Sequence, residues 1–350
     1  MDYIEKLIED VRSEKNSIYL YGAGYLADKY RQLLDENEVE IAGYIVDSEY
    51  LSKSEKEIKG KPVVGIESIA DDITLIVAVR ASGLRVKLPE SPFIRKVIAL
   101  DYSTYVNFGA LDEDFLVEHK DEIADIFSRL ADFESKRSLL NFIDQKLTGT
   151  YNKQYTLKPQ YFDDDVFLPA EDEVFVDCGA YTGDSVTGFA EFLKQNKISS
   201  FRRCIAFEPD SENYETLCEN VKGYANVETY KLGVHSEKAT LCFSAGNQKI
   251  SSITESGETR IDVDSIDNIV GDDMVTYIKM DIEGSEMSAL KGAEKTILRN
   301  KPRLAVCIYH RTDDFIKIPQ YILSLVPEYK LYVRNYDPTG VDTVLYAIKG

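Results

Sequence analysis

The stretch VFVDCGAYTGDS, residues 174–185, runs from an apolar segment into a turn that contains two glycines. An apolar strand followed by a glycine-rich turn is typical of nucleotide-binding α/β folds. Such turns usually hold phosphate, but Asp177 stands directly before this turn, where its charge would repel a phosphate. The sequence therefore predicts a ligand whose group nearest the turn is cationic or a hydrogen-bond donor.

The composition excludes several classes of partner. The chain has 350 residues, which is enough for two domains, and its 61 acidic against 41 basic residues give a net charge of −20. So acidic a surface argues against binding nucleic acid or anionic lipid by bulk electrostatics. No stretch is apolar enough to cross a bilayer, and the N-terminus is typical of an amphipathic helix, not of a signal peptide. The five cysteines form no CxxC pair, so we expect reduced core thiols in a cytoplasmic protein.

Strand and helix patterns alternate in two regions, which predicts an α/β protein with two Rossmann-like, doubly wound domains. In the first region the strands are predicted within 17–24, 41–47, 60–69 and 73–79. Residues 111–147 contain no glycine or proline and predict one long helix, or two in series, as a bridge. The predicted division is 1–109 for the first domain, 110–165 for the helical bridge and linker, and 166–350 for the second domain.

The second domain is predicted to contain seven strands, at 174–177, 203–207, 227–232, 275–280, 303–308, 329–334 and 343–348. The last two are separated by YDPTGVD, residues 336–342, whose proline and glycine favour a tight turn over a crossover helix. The sheet is therefore predicted to end in a β-hairpin, with its last strand antiparallel to the parallel ones.

Polar residues stand at the ends of four of these strands, and ligands of open α/β sheets bind beyond the carboxyl ends of the strands. Asp177 and Glu208 end the first two strands, Asp281 and Glu283 follow the fourth, and His310 follows the fifth. A carboxylate such as Glu208 can accept both hydroxyls of a ribose. A nucleoside with a cationic amino-acid arm suits both Glu208 and Asp177, and S-adenosylmethionine is such a molecule.

Three segments, VFVDCGAYTGDS, AFEPDSENYETLCENV and IKMDIEGSEMSALKGAEKTIL, resemble consecutive blocks of the FkbM-type methyltransferases. The resemblance extends from about residue 174 to the C-terminal hairpin. It implies the seven-stranded sheet of class I methyltransferases and transfer of a methyl group from S-adenosylmethionine to a hydroxyl, often of a sugar or polyketide. The cofactor-binding residues it implies are Asp177, Gly179, Ala180, Tyr181, Gly183, Asp184, Glu208 and Asp281.

His310 is the first candidate for the base that removes the proton of the acceptor hydroxyl, because a histidine titrates near neutral pH. Asp281 and Glu283 are its rivals. The chain departs from the commoner family pattern here, since many relatives carry a glutamate where this sequence reads AVCIYHRTDDF. No metal site is predicted, because no His/Asp/Glu cluster has ligand spacing along the chain.

Purely structural roles remain open for each of these residues. Asp177 could cap the helix after it, and Glu208 could be a surface acid before a proline turn. Asp281 and Glu283 could cap the following helix, and a histidine at a strand end is often structural. Lys279, in the strand before Asp281, could be a buried ion-pair partner.

The first domain contains YGAGYLA, residues 21–27, and Asp47, which together approximate a dinucleotide fingerprint. The segment resembles the small Rossmann-like domain that precedes some sugar-modifying acetyltransferases, which implies contact with a nucleotide or nucleotide-sugar. A structural or dimerising role is the alternative.

The function predicted for the whole chain is that of a cytoplasmic O-methyltransferase acting on a sugar or nucleotide-sugar, with a homodimer as a further expectation. Two alternatives stay open. One is a nucleotide-sugar-binding protein with a non-catalytic methyltransferase-like scaffold, and the other is an NAD-dependent oxidoreductase that uses the first glycine turn.

Overall fold

The computed structural model describes residues 8–9, 11–52, 54–79, 89–99, 111–148, 155–243, 259–337 and 340–349. It confirms the α/β class, with one six-stranded and one seven-stranded sheet and a smaller sheet of three strands. Most of the predicted N-terminal amphipathic helix lies outside the described residues, as do residues 149–154 of the linker and two residues of the hairpin turn.

The first sheet has the strand order β3-β4-β2-β1-β5-β6. Its strands are β1 (Ser17–Tyr21), β2 (Gly43–Val46), β3 (Glu57–Ile58), β4 (Lys61–Gly65), β5 (Ile73–Val77) and β6 (Ile94–Ala99). From residue 17 onward, the α-helices in the described part of this region are α1 (Tyr25–Glu36) and α2 (Ser48–Leu51). All strand pairs are parallel except β3 with β4. The sequence predicted four of these strands and missed β3 and β6.

The helical segment consists of three helices, α3 (Glu113–Glu118), α4 (Lys120–Arg129) and α5 (Phe133–Thr148). The expectation of one helix or two in series is therefore wrong. Leu130 leaves the helix with extended backbone angles, and the N–H of Ala131 donates to the carbonyl of Leu331 at 2.8 Å. Asp132 then accepts from the N–H of Ser135 at 2.7 Å, as an N-cap does. The apolar periodicity of the sequence continues through this point, but the contact with Leu331 ends α4 and the Asp132 cap begins α5.

A buried ion pair fixes α5 to the second sheet. Arg334, 3% exposed, donates to Asp132 at 2.7 Å and to the hydroxyl of Ser135 at 2.8 Å. Because a buried guanidinium is stable only with its partners in place, this contact fixes how the helix lies on the sheet.

The second sheet has the order β15-β16-β14-β13-β7-β8-β9. Its strands are β7 (Val174–Cys178), β8 (Arg203–Phe207), β9 (Val227–Tyr230), β13 (Tyr277–Met280), β14 (Arg303–Cys307), β15 (Tyr329–Asn335) and β16 (Thr343–Lys349). The helices along it are α6 (Asp184–Gln195), α7 (Ser211–Val221), α8 (Ile266–Val270), α9 (Glu286–Lys291), α10 (Glu294–Asn300) and α11 (Asp314–Leu325). Strands β15 and β16 pair antiparallel with each other, and β16 pairs antiparallel with β14. All seven predicted strands and the closing hairpin are present.

A third, three-stranded sheet was not predicted. It consists of β10 (Gly233–Val234), β11 (Ala239–Phe243) and β12 (Thr259–Asp264), in the order β10-β12-β11. Two of its strands flank residues 244–258, which lie outside the described part of the chain.

Two hydrophobic clusters pack beside the first large sheet, and one larger core packs beside the second. Leu20, Tyr44 and Ile76 belong to one of the two clusters, and Phe175, Tyr277 and Leu304 to the larger core. Among the described residues no helix is both long and apolar enough for a membrane span. Four cysteines are described as free thiols. Three of them are buried, namely Cys178, Cys204 and Cys307, and Cys218 is partly exposed.

Candidate active site

The candidate site lies where four neighbouring strands of the second sheet end. Strands β8, β7, β13 and β14 are adjacent and parallel, so their carboxyl ends share one edge. Asp177 lies in β7, and Glu208, Asp281 and His310 follow β8, β13 and β14. The structure thus brings the strand-end residues predicted from the sequence to a single rim.

The glycine turn after β7 is held tightly against its two neighbouring strands. The N–H groups of Gly179 and Ala180 both donate to the carbonyl of Phe207, at 3.1 and 2.9 Å. Gly179 has φ +81°, and a Cβ atom there would lie 2.0 Å from the carbonyl oxygen of Asp281. Only glycine can adopt this left-handed backbone and also leave room for the carbonyl oxygen, because it has no Cβ atom.

The carboxylate of Glu208 is fixed by two backbone donors. Its Oε2 accepts from the N–H of Tyr181 and its Oε1 from the N–H of Asp210, both at 2.9 Å. The residue is only 6% exposed, and burial raises the pKa of its carboxyl. Each oxygen keeps a lone pair for a further donor. Glu208 is therefore a positioned acceptor at the rim and not the freely solvated surface acid of the structural alternative.

Asp177 has a different environment from the one that its sequence position suggested. It is fully buried, accepts from the hydroxyl of Ser185, and lies 3.2 Å from Nζ of Lys279, its register partner in β13. Burial raises the pKa of the Asp177 carboxyl, and the lysine opposes that shift. Since Lys279 already compensates the charge, Asp177 does not require a cationic ligand. The ion-pair role left open for Lys279 is the one observed, with Asp177 as the partner.

Two tyrosine hydroxyls hold Asp281. Tyr161 donates to its Oδ2 at 2.7 Å and Tyr309 to its Oδ1 at 3.2 Å. Burial raises the pKa of the Asp281 carboxyl, but the charges of Lys279 and His310 outweigh burial and lower it. The carboxylate of Asp281 is therefore ionised and oriented.

His310 lies among carboxylates. Its Nδ1 is 2.8 Å from Oε1 of Glu286, and its Nε2 is 3.4 Å from Oδ1 of Asp281 and 3.7 Å from Oε2 of Glu283. Burial opposes the charged imidazolium, yet the carboxylates prevail and raise the pKa of His310 to about 10. In this state the ring holds a proton at neutral pH and cannot accept another. A resting general base would have to be unprotonated.

The other predicted cofactor residues lie along the same turn. Ala180 is buried, Gly183 has φ +90° at the start of α6, and Asp184 opens that helix with its side chain exposed. Tyr181 is 47% exposed and has φ +48°, which is uncommon for a residue with a side chain. The turn thus presents one exposed ring beside the fixed carboxylate of Glu208.

Three residues of the site were missed by sequence reasoning: Tyr161, Glu286 and Tyr309. Tyr161 comes from the irregular linker, where no pattern indicates which side chain turns inward. Glu286 lies in the first turn of α9 and is 0% exposed, although acids at that position are usually solvated caps. Tyr309 directly precedes His310, so the rule that strand ends carry the site could have included it.

Within the described ranges, the first glycine turn has fewer polar groups around it than the second. Gly22 has φ +116°, and a Cβ atom there would lie 2.6 Å from the carbonyl oxygen of Ala78. Asp47 follows β2 and accepts from the hydroxyl of Tyr21 at 2.8 Å. Gly24 has no neighbouring atom within 4 Å of its Cβ position. Open space over Gly24 and an acid at the adjacent strand end are compatible with a nucleotide.

Comparison with known proteins finds one matching family model and structures of similar fold. Residues 177–337 match the family model described as the Methyltransferase FkbM domain. The crystal structure of Methyltransferase FkbM from Methylobacillus flagellatus is similar over 99% of this chain and 93% of its own, with 24% identity and a TM-score of 0.68. No curated protein matches the chain.

Two further similar structures cover about half of the chain. An rRNA methylase from Streptococcus thermophilus has 17% identity over 51% of this chain and 87% of its own, with a TM-score of 0.33. Aeropyrum pernix fibrillarin, in complex with S-adenosyl-L-methionine, has 12% identity over 52% and 70%, with a TM-score of 0.33.

The resemblance of the first domain to acetyltransferase domains has no support among these matches. The second domain is similar in sequence to the FkbM methyltransferase domain, and the whole chain is similar in fold to a structure of that name. The match to the family model supports methyl transfer as the function of residues 177–337, and the similar crystal structure supports the fold.

Proposed function

We propose that the chain transfers a methyl group from S-adenosylmethionine to a hydroxyl of a small-molecule acceptor, a sugar or glycan precursor. The observation that carries the proposal is Glu208, a buried carboxylate held by two backbone N–H groups beside the glycine turn. A fixed, acceptor-only group next to such a turn is suited to the hydroxyls of a ribose.

The residues of the rim fit this cofactor by their chemistry. Glu208 would hold the ribose, and the turn from Gly179 to Gly183 would approach the methionine part with its backbone. The exposed ring of Tyr181 offers an apolar face beside Glu208. When bound, the cofactor supplies an electrophilic methyl group. The contribution of Asp177 is indirect, because its carboxylate pairs with Lys279 and so fixes the base of the turn.

Glu283 is proposed as the group that takes the proton from the acceptor hydroxyl. A base must reach its substrate, and the side chain of Glu283 is 43% exposed, against 25% for Asp281 and 4% for His310. Asp281, held by two tyrosines, would orient the hydroxyl. His310 would position the two carboxylates through its charge.

The proposed acceptor class follows from the same groups. Oxygens of Asp281 and Glu283 and the hydroxyls of Tyr161 and Tyr309 lie around one point of the rim. A polyhydroxyl group offers donors and acceptors to such a set, whereas an anionic group placed at this point of the rim would be repelled. The resemblance to FkbM-type enzymes supports the same class.

Calorimetric titration with S-adenosylmethionine tests the proposal. Glu208→Ala should weaken binding by about tenfold or more, since hydrogen bonds to a charged group are lost. Glu215→Gln, which alters an exposed acid on α7, is the matched control and should bind as the wild type does. A panel of sugars and nucleotide-sugars, assayed for release of S-adenosylhomocysteine, then identifies the acceptor. Absence of cofactor binding by the wild type would contradict the proposal.

A further inference from the structure

A cluster of three potential metal ligands lies at the inner side of the rim. Asp281 follows β13, Glu286 lies in the first turn of α9, and His310 follows β14. One ligand atom from each of the three lies within 4.8 Å of the others. The local spacing that argued against a metal site missed this set, because its members come from three separate segments.

Buried atoms without hydrogen-bond partners mark the same cluster. His310 is 3% and Glu286 0% exposed. Neither ring nitrogen of His310 makes a hydrogen bond of acceptable geometry, and Oε2 of Glu286 has no hydrogen-bond partner. Buried polar atoms without a hydrogen bond are rare in a protein interior and are unfavourable there. A ligand that used these atoms would remove that cost.

The local charge favours a cation. Asp281, Glu283 and Glu286 surround the single imidazole of His310. The nearby ammonium of Lys279 is already engaged, because it lies 3.2 Å from Asp177 and donates to the carbonyl of Gly179 at 2.7 Å. The carboxylates therefore exceed the cations that face them.

We propose that Asp281, Glu286 and His310 bind a divalent transition-metal cation. Since only a neutral imidazole can be a ligand, binding of the cation releases the proton of His310 to solvent. One imidazole nitrogen with two carboxylate oxygens is a donor set that suits Mn²⁺ and similar ions better than Ca²⁺, which takes oxygen ligands. Asp281 is the partly exposed member, so the cation would have an open position on the acceptor side. This proposal departs from the expectation that the chain has no metal site.

The consequence for catalysis rests on the proposed function. A cation at this place would bind the acceptor oxygen and lower the pKa of its hydroxyl. The proton would pass to Glu283, whose Oε2 lies 3.7 Å from His310. Cation binding itself does not depend on methyl transfer and can be measured alone.

Titration of the full chain with Mn²⁺, after treatment with EDTA and desalting, tests the site by calorimetry and by the electron paramagnetic resonance signal of free Mn²⁺. We expect one site per chain and an affinity at least about tenfold lower in His310→Gln and in Asp281→Asn. The matched control is Asp164→Asn, which removes an acid from the group Asp163, Asp164 and Asp165, where Lys158 already pairs with Asp164 at 2.6 Å. Binding that is absent at millimolar Mn²⁺, or equal in all variants, would overturn the proposal.

Two further measurements show whether a loss of Mn²⁺ binding comes from misfolding and whether the proposed function holds independently of the cation. Circular dichroism identifies a variant that fails to fold. If Asp281→Asn is unstable, Mn²⁺ binding is compared between the wild type and the conservative variant His310→Gln. Titration with S-adenosylmethionine in EDTA tests the proposed function independently. Mn²⁺ binding without cofactor binding would support the cation site and contradict the proposed function. Methyl transfer that is equal in EDTA and in Mn²⁺ would overturn the catalytic role of the cation.

Discussion

The chain contains two glycine turns that follow a strand and open a helix, and their surroundings differ. The turn after β1 approaches Ala78 beyond the apolar end of β5, and Asp47 of the adjacent strand end is held by a single tyrosine. The turn after β7 lies beside Glu208 and Asp281, both fixed by hydrogen bonds. The local glycine pattern therefore sets the backbone geometry, and the ends of neighbouring strands set the chemistry.

The largest expected effect is on the chemistry beside the second turn. Glu283→Gln should lower the turnover of methyl transfer by about 10²–10⁴-fold, because the amide cannot take up the proton. The affinity for S-adenosylmethionine, measured by calorimetry, should stay near that of the wild type. Turnover within a few fold of the wild type would remove Glu283 from the proposed role and return the assignment to Asp281 or His310.

The next effect compares the backbone of the two turns. Gly179→Ala should lower the free energy of unfolding by about 3 kcal/mol, since it combines a left-handed backbone with a backbone clash. Gly24→Ala, at φ −98° with open space around it, should change that energy by less than about 1 kcal/mol. Urea denaturation measures both. Equal effects of the two substitutions would show that the close approach to Asp281 is unimportant.

A smaller effect concerns pH. Burial raises the pKa of Glu208, so on acidification this carboxylate should take up its proton at a higher pH than an ordinary glutamate, whose pKa is about 4.3. The affinity for S-adenosylmethionine should therefore fall as the pH falls, and this fall should begin at a higher pH than the pKa of an ordinary glutamate would give. Glu208→Gln should bind weakly and lack this contribution to the pH dependence. A wild-type profile that matches the variant's would contradict the assignment of the ribose to Glu208.

The smallest effect is expected at the first turn. Gly24→Val should leave binding of S-adenosylmethionine and the rate of methyl transfer unchanged, because the turn after β1 belongs to a different sheet. Titration of the same variant with NAD and with nucleotide-sugars would show whether this turn holds a nucleotide. A loss of methyl transfer in Gly24→Val would mean that the two turns act together.

The sheet and its strand-end residues were predictable because they follow from local patterns. Apolar runs such as 174–176 and 304–308 identify buried strands, and parallel strands bring their carboxyl ends to one edge. The division into three helices was not predictable from periodicity. The break at Leu130 depends on a contact with Leu331, and the break at His119 on a backbone with φ −100° and ψ 14°.

The electrostatics of the site were the least predictable part. Asp177 suggested a cationic ligand until its register partner Lys279 was placed beside it. His310 suggested a neutral base, whereas the buried carboxylate of Glu286 in α9, together with Glu283 and Asp281, raises the pKa of His310. Pairing across strands and contacts between separate segments determine these charges, and no single segment carries that information.

We propose that the second turn, with Glu208, holds S-adenosylmethionine. Titration of the wild-type chain, in parallel with S-adenosylmethionine and with NAD, measures this binding. We expect one S-adenosylmethionine per chain, with affinity weakened in Glu208→Ala and retained in Gly24→Val. Binding of NAD alone, lost in Gly24→Val and retained in Glu208→Ala, would contradict it.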